Sequence, residues 1–482
     1  MSFIYVPTSS NVGQATLTTG SALTAGQSVA VNSSGLAVPI AGYAQGTGST
    51  GLVTNSGNTT QATWGTCSAY DTVNQRLVVF YQKPTTGDYY CKVGTLTSGT
   101  WTFGTEVLVI ANTGGTTVNT ICSALYNVAG GKIMFQSMYP GGAIQIIAGT
   151  VSGTTITFGT KLAFTPAGSN LGAFSAISYD NLTGQACLGW LGALAPYSNA
   201  MVLTLSGTTI TANTEYGLSN SYTTNNFVAG NGYTVNILDG LAREIFCAIS
   251  GTTLTSSGLV ITSSKTTSYA PLYAPSIQTY FYVGFSSPNI YITAMKWNGS
   301  VATVAQYTAI TTGLFDFSTY KQPVSLAYDS STGYLVMTWT PSGATSTMQT
   351  SLYTVSTVTL TAVTQFNALN TTTKSAYNQL ISLNDGTLIY SFRDVSSGYT
   401  YSNPQYETTN TNYTGFIGFS SAAYGSGATA TIQTVGSIST SQSGLTAGSK
   451  YYVQPDGTLT TTVGSNQYGG LALSAANLLI KG

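Results

Sequence analysis

Along most of this chain, short runs of alternating or consecutive apolar residues are broken by Ser-Gly, Asn-Gly and Thr-Gly pairs. That pattern predicts antiparallel hairpins. One phrase recurs: "GTLTSGTWTFGTEV" from Gly94, "GTVSGTTITFGTKL" from Gly149, "LTLSGTTITANTEY" from Leu203 and "CAISGTTLTSSGLV" from Cys247. Looser copies begin at Met295 and Tyr353. Anchored on Ser98, Ser152, Ser206, Ser250, Asn298 and Ser356, the copies are 54, 54, 44, 48 and 58 residues apart.

A second hairpin phrase precedes the first within a period. It starts at Cys67, Cys122, Ser175 and Ser325, with a degenerate copy at Gln379. Asp71, Asp180, Asp329 or Asp385 stands near its turn, where a carboxylate accepts hydrogen bonds from the turn's own amides. Two hairpins per period make a four-stranded unit, the arithmetic of a β-propeller blade. Six units fit between Gly65 and Leu369, and a seventh runs from Ser375 to about Glu407 without a clear fourth strand. The stretch Leu52–Trp64 is placed to supply it and close the ring. The expectation is all-β: a seven-bladed β-propeller over residues 51–409.

The two ends carry one hairpin twice, "SALTAGQSVAVNSSGLAVPI" (Ser21–Ile40) and "SGLTAGSKYYVQPDGTLTTT" (Ser443–Thr462). Leu23 aligns with Leu445, Gly26 with Gly448, Val31 with Val453 and Gly35 with Gly457. Ring closure would bring these segments together as one split β-module of residues 1–50 and 410–482, into which the propeller is inserted. Leu23, Gly26, Gly35, Leu445, Gly448, Tyr452 and Gly457 are its expected anchoring residues. The final "YGGLALSAANLLIKG" is aligned with "AVPIAGYAQG" (Ala37–Gly46), which extends the correspondence.

Composition narrows function. Charged residues make up 5% of 482, with 13 basic, 13 acidic and no His. Globular proteins carry about 25%. A net charge of zero without basic clusters argues against nucleic acid and against a basic membrane patch. "ACLGWLGALAP" (Ala186–Pro196), the most apolar stretch, is too short to span a bilayer. The N-terminal "MSFIYVPTSSNVG" lacks the basic and apolar regions of a secretory signal, which suggests assembly inside a cell or release by lysis. Five cysteines (Cys67, Cys91, Cys122, Cys187, Cys247) occur without CxxC or His, so they read as small buried hydrophobes, with a Cys67–Cys91 bridge as the open alternative. No metal or other cofactor is expected.

The stretches Gly415–Phe419, Gly427–Val435 and Gly444–Leu459 ("GLTAGSKYYVQPDGTL") resemble a module of structural proteins of tailed phages, notably marine ones. The resemblance covers roughly the last 70 residues and, more loosely, the first 50. It implies a tail, fibre or capsid-decoration component and brings no catalytic residues.

Catalytic chemistry finds little support. Without His, Ser-His-Asp and Cys-His systems cannot be built within one chain. Paired carboxylates would suffice for a glycoside hydrolase, but most acids fall in repeated turns. A sialidase-type grip needs three Arg, and the chain has only Arg76, Arg243 and Arg393. Surface recognition remains. "KPTTGDYYCK" (Lys83–Lys92), "TSYAPLYAP" (Thr267–Pro275) and "SSGYTYSNPQY" (Ser396–Tyr406) read as Tyr-rich inter-strand segments. Their Tyr89, Tyr90, Tyr269, Tyr273, Tyr399, Tyr401 and Tyr406 are candidate glycan contacts, since aromatic faces stack on sugar rings; the competing reading packs them between blades. The expectation is a non-enzymatic virion structural protein assembled in the host cytoplasm. Its expected partners are other virion proteins, copies of itself and a host-surface glycan. The alternatives are an extracellular lectin, adhesin or polymeric fibre subunit and, more weakly, a glycan-active propeller hydrolase.

Overall fold

The computed structural model describes residues 13–20, 22–31, 35–40, 45–47, 51–54, 66–83, 86–97, 100–111, 122–138, 143–165, 175–191, 198–219, 225–238, 243–261, 267–286, 289–310, 324–330, 333–341, 348–367, 375–383, 387–394, 400–407, 416–453, 457–463 and 467–481. The chain divides into two compact units: Met1–Gly46 with Tyr406–Gly482, and Thr47–Gln405. Apart from a 3₁₀ turn at Pro275–Ile277, the regular structure of the described residues is all strand. No helix among them is long and apolar enough to cross a membrane.

In the larger unit the expected pairs of hairpins form consecutive antiparallel sheets. Thr66–Asp71, Arg76–Gln82 and Tyr89–Thr97 lie side by side, and both Thr100–Phe103 and Val107–Ile110 pair with the outer side of the third strand. Sheets beginning at Cys122 and Ser175 repeat this plan, including the divided outer strand. Sheets beginning at Asn225, Thr267 and Val324 have one continuous outer strand. The sheet beginning at Ser375 takes its outer strand from the other end of the chain: Gly51–Thr54 pairs with Thr400–Ser402. The first strand of each sheet touches that of the next, and Ser375–Ser382 touches Thr66–Asp71. A closed circuit of radiating antiparallel sheets is the β-propeller architecture.

Apolar second strands are buried on both faces. Every residue from Leu77 to Gln82 and from Ile133 to Met138 is buried, because each sheet is flanked by two others. Aromatic rings cross between neighbours: Phe80 stacks on Phe135 at 4.5 Å, and Phe246 on Trp297 at 4.5 Å. Each such pair adds about 1 kcal/mol beyond its area burial.

The recurring Phe-Gly-Thr after the outer hairpin also has a packing cause. A Cβ on Gly104 would lie 2.0 Å from the Thr154 carbonyl oxygen in the next sheet's turn. The outer hairpins close with two-residue turns flanked by Ser152/Thr155, Ser206/Thr209, Ser250/Thr253 and Ser356/Thr359. Their first central residue has positive φ, as a type II′ turn requires. Gly153, Gly207 and Gly251 supply it at +58°, +60° and +57°, but the last copy has Thr357 at +60°. A β-branched residue there is strained.

The stretch Thr267–Pro275, expected between strands, is instead the first strand of its sheet, Thr267–Ala274. Tyr89 and Tyr90 also lie in a strand (Tyr89–Thr97), as do Tyr401 and Tyr406 (Thr400–Glu407). Tyrosine fits the pleated, half-buried surface of a sheet, which is why dense Tyr here marks strands. The open Cys67–Cys91 alternative is corrected too. Both cysteines pair with Phe80 from opposite sides, so a whole strand separates them, about 9–10 Å across. All five cysteines are free and buried. Burial pushes the Cys67, Cys91 and Cys187 thiols well up, and that of Cys247 to about 12.

The smaller unit holds two sheets of matching plan. Gln14–Thr18, Thr429–Gln433, Phe416–Ser420, Ser28–Val31 and Ala37–Pro39 form one, in that spatial order. Ile438–Ser439, Leu478–Ile480, Gln467–Ala472, Lys450–Val453 and Leu459–Thr460 form the other, strand for strand. The duplicated hairpins share one register, Val31 opposite Ala37 and Val453 opposite Leu459. Their neighbours share a bulge: Val29 faces Gly418 and Ala30 faces Phe416, while Tyr451 faces Gly470 and Tyr452 faces Tyr468. The C-terminal "YGGLALSAANLLI" therefore corresponds to the segment from Phe416, not to Ala37–Gly46 as the sequence alignment had it. Register shows this where weak similarity cannot, because Gly418 and Gly470 both pass a cross-strand carbonyl that a Cβ would strike, at 1.9 and 2.2 Å.

Thr357→Gly should raise the thermal midpoint by relieving about 1 kcal/mol of backbone strain. Gly104→Ala should lower it, since backbone must shift to admit the methyl. Thermal unfolding followed by circular dichroism checks both; a midpoint unmoved by Gly104→Ala would show that the Thr154 turn is free to shift.

Candidate functional site

The first strands of the larger unit enclose a cavity of about 230 Å³. Each contributes to it, through Cys67, Ser123, Ser178, Asn226, Tyr269, Ser325 and Gln379 among others. No described lining residue is charged.

Several of these polar groups bind one sheet to the next. The Ser123 hydroxyl accepts from the Ile177 amide at 2.9 Å, Ser178 from the Ala229 amide at 2.8 Å, and Ser325 from the Leu380 amide at 3.0 Å. At the closing step Gln379 Nε2 donates to the Ser68 carbonyl at 2.9 Å, and the Ser68 amide donates to Gln379 Oε1. An edge strand leaves alternate amides unpaired, and these side chains satisfy them.

The repeated turn acids do the same further out. Asp71 Oδ1 accepts from the Val73 and Asn74 amides at 3.0 and 2.9 Å. Asp180, fully buried, accepts from the Thr183 amide in its own turn at 2.9 Å and from the Gly232 amide in the next sheet at 2.9 Å. Asp329 accepts from the Ser382 hydroxyl, again in the next sheet, at 3.0 Å. Glu244 is buried and accepts from the Tyr282 hydroxyl of the following sheet. Asp385 lies outside the described residues. Among the described residues these carboxylates form no pair around the cavity, and no three Cys, Asp or Glu side chains gather as a metal-ligating cluster.

The candidate tyrosines scatter. Tyr89 is wholly buried and packs against Phe135, ring centroids 5.1 Å apart, so it is removed from the candidate contacts. Tyr90 lies under the Lys83 ammonium, which is 3.9 Å from its ring centroid and forms an ion pair with Glu106. Tyr269 lines the axial cavity. Tyr273 borders a second cavity of about 390 Å³ with Leu272, Tyr328 and Ile381, and its ring lies 4.7 Å from that of Tyr280. Burial, helped by Asp180, pushes the Tyr273 hydroxyl up to about 12, so it is neutral at pH 7. Tyr399 lies outside the described residues, as do the side chains of Tyr401 and Tyr406.

The residues expected to anchor fall at equivalent points of the two small sheets. Leu23 and Leu445 are buried. Gly26 and Gly448 have φ of +76° and +80°, and their amides donate to Ser420 and Ala472 carbonyls at 2.8 Å each. Gly35 and Gly457 both turn at +78°. The Ser28 hydroxyl donates to the Gly457 carbonyl at 2.7 Å, and Gln442 Nε2 to the Gly26 carbonyl at 2.9 Å, tying one copy to the other. Ala30, Ile40 and Phe419 of the first sheet share a core with Leu445, Tyr451, Val453, Leu478 and Ile480 of the second. Tyr452 points to the opposite face, beside Tyr468, with centroids 5.4 Å apart.

No family model and no curated protein matches the chain. Among solved structures it is similar to the β-propeller domain of Cps50 (Swd1) from Myceliophteria thermophila, with TM-score 0.47, 8% identity, and coverage of 75% of this chain and 99% of that one. It is also similar to the periplasmic gluconolactonase of Pseudomonas aeruginosa, with TM-score 0.46, 9% identity and 73% and 96% coverage. A third is the Aleuria aurantia lectin, with TM-score 0.39, 13% identity and 64% and 96% coverage.

Asp180→Ala should cost about 3 kcal/mol, since it strands buried amides in two sheets, and Ser178→Ala about 1–2 kcal/mol. Denaturant titration checks both; an Asp180→Ala midpoint equal to wild type would mean that the turn does not hold the next sheet. Burial raises the Glu106 carboxyl, but hydrogen bonds from Lys83 and Tyr81 and the nearby Lys83 and Lys92 charges hold it below its ordinary value. A depressed carboxylate stabilises the fold above its unfolded value, about 4.3. That contribution is lost as pH falls through the folded value. Glu106→Gln should therefore melt below wild type at pH 7, with the gap closing toward pH 3.

Proposed function

We propose that this chain is a non-enzymatic structural protein of a virion that displays a seven-bladed propeller from a pair of β-modules. The carrying observation is the position of the ring in the chain order. It lies between the third and fourth strands of the first five-stranded sheet, counted along the sequence, while the second sheet of that plan is continuous. A ring threaded into a complete small fold is a passenger, and the duplicated fold is its mount. The likeness of the C-terminal segment to a module of tailed-phage structural proteins supports a mount on a particle.

The absence of an enzyme is part of the same reading. The described lining of the axial cavity is uncharged, and the described turn carboxylates are engaged in holding turns and sheets. The neutral lining mixes Ser, Asn, Gln and Tyr with Ala, Cys, Ile, Phe, Pro and Val, and polar groups set among apolar ones suit the hydroxyls and faces of a sugar, which favours a host-surface glycan as the propeller's target. That observation also serves the second reading, an extracellular lectin or adhesin.

Immunogold labelling of particles from a lysed producing culture, with antibody to the propeller, tests the proposal. Gold fixed on tails or capsids is the expected result. Gold on cell envelopes or free fibres, with bare particles, would replace it with the adhesin reading.

A further inference from the structure

Two thiols meet at the axis of the ring. Thr66–Asp71 and Cys122–Asn127, the first strands of the first two sheets, touch one another. Cys67 on one and Cys122 on the other both line the axial cavity and belong to one packed cluster. Their side chains are hydrogen-bonded to each other, and neither is in a disulfide. Cys91, Cys187 and Cys247 do not line that cavity.

Register explains the encounter. In three sheets the first and second strands pair over six residues: from Thr66 opposite Tyr81 to Asp71 opposite Arg76, from Cys122 opposite Ser137 to Asn127 opposite Lys132, and from Val324 opposite Trp339 to Asp329 opposite Tyr334. Cys67 therefore holds the position of Ser123 and Ser325. Both of those hydroxyls accept an amide of the next sheet, that of Ile177 and that of Leu380. Ile177 is the third residue of its strand, Ser175–Tyr179. By the same register Cys67 is directed at the opening of Cys122–Asn127, and there it meets a second thiol. A thiol is a weaker hydrogen-bonding group than a hydroxyl, so this seam gains less from the position than the seams at Ser123 and Ser325 do.

We propose that Cys67 and Cys122 are an oxidisable pair that closes to a disulfide between the first and second sheets of the ring, with hydrogen peroxide as the oxidant. A water occupies about 30 Å³, so a cavity of about 230 Å³ has room for a peroxide beside both sulfurs. One sulfur, as thiolate, attacks a peroxide oxygen. The O–O bond breaks, a sulfenic acid forms, and the other oxygen leaves as water with the thiol's proton. The second sulfur then attacks the sulfenic sulfur: the S–S bond forms, the S–O bond breaks, and a second water carries off the remaining proton. Two thiols lose two electrons and two protons, and one peroxide becomes two waters. Burial holds the Cys67 thiol protonated at pH 7, so the pair reacts slowly and stays reduced until oxidant is in excess. Once formed, the bond closes the chain between residues 67 and 122 into a covalent loop, which restricts the unfolded chain and staples the seam.

Peptide mapping of the folded full chain after treatment with excess hydrogen peroxide tests the proposal. Remaining thiols are alkylated in denaturant before digestion with trypsin, which cuts after Lys and Arg. The peptides 1–76 and 93–132 then carry Cys67 and Cys122 as their single cysteines. They should be recovered joined, at about 2 Da below the sum of their masses, and dithiothreitol should separate them. The oxidised chain should melt about 5 °C above the reduced one. Cys67→Ser restores the hydroxyl found at Ser123 and Ser325, so that variant should fold, form no link and show no peroxide-induced shift. Recovery of the two peptides unlinked from folded protein would overturn the proposal. So would oxidation of either cysteine to a sulfinic acid instead, a link from either one to Cys91, Cys187 or Cys247, or a Cys67→Ser chain that still gains the thermal shift. None of these outcomes bears on the gold labelling, so thiol pair and virion role stand or fall separately.

Discussion

Among the described residues of the ring, no backbone ladder joins one sheet to the next. Each first strand meets its neighbour along an edge whose alternate amides have no partner in their own sheet, and buried unpaired amides cost about 1–3 kcal/mol each. The chain answers with short side chains on the first strands of several sheets. Ser123, Ser178 and Ser325 take such amides near the axis, Asp180 takes a turn amide of the next sheet farther out, and Gln379 joins the last sheet to the first. The aromatic stacking between sheets can operate only once these edges are satisfied, because it needs the sheets held at a fixed separation. The side chains that meet amides at the axis, Ser123, Ser178, Ser325 and Gln379, are all uncharged.

The smaller unit obeys a different logic. Its two sheets repeat register, bulge and turn angles to within a few degrees, yet one is assembled from segments lying far apart in sequence. A fold tolerates a long insertion because loop-closure entropy grows only slowly with length. The strands that flank this one, Ala37–Pro39 and Phe416–Ser420, lie on either side of Ser28–Val31 in one sheet, and the inserted ring completes its own last sheet with Gly51–Thr54.

Much of this was legible in the sequence because it was written repeatedly. The hairpin turns, the turn aspartates and the Leu-Thr-Ala-Gly duplication each rest on local chemistry that a periodic pattern exposes. The two sheets from Asn225 and Thr267 were harder. The first begins with "FVAGNGYTV", whose Asn231-Gly232 turn is a strong hairpin signal but lacks the Ser-Ala opening of its fellows. The second hides its opening strand in Tyr and Pro, so it read as a segment between strands. The candidate contact residues were least legible. Alternation along a strand sends Tyr89 into the core and leaves Tyr90 at the rim, and composition alone treats the two as equal. The serine and glutamine links were missed altogether, because a serine that caps a neighbour's amide looks like any other serine until the neighbour is known.

The insertion also orders events in time. The strands Gln14–Thr18, Ser28–Val31 and Ala37–Pro39 leave the ribosome first, but their sheet partners begin only at Phe416. At roughly 5–20 residues per second, the nascent chain spends tens of seconds with that half-sheet unpaired. The ring can fold in the interval, but its closing strand, Gly51–Thr54, must likewise wait for Thr400. Both units are thus completed only once the stretch from Thr400 to Ile480 has been made, and until then the cell holds a chain with two open sheet edges and an apolar face, which is the state in which a partner protein or a chaperone has most to bind.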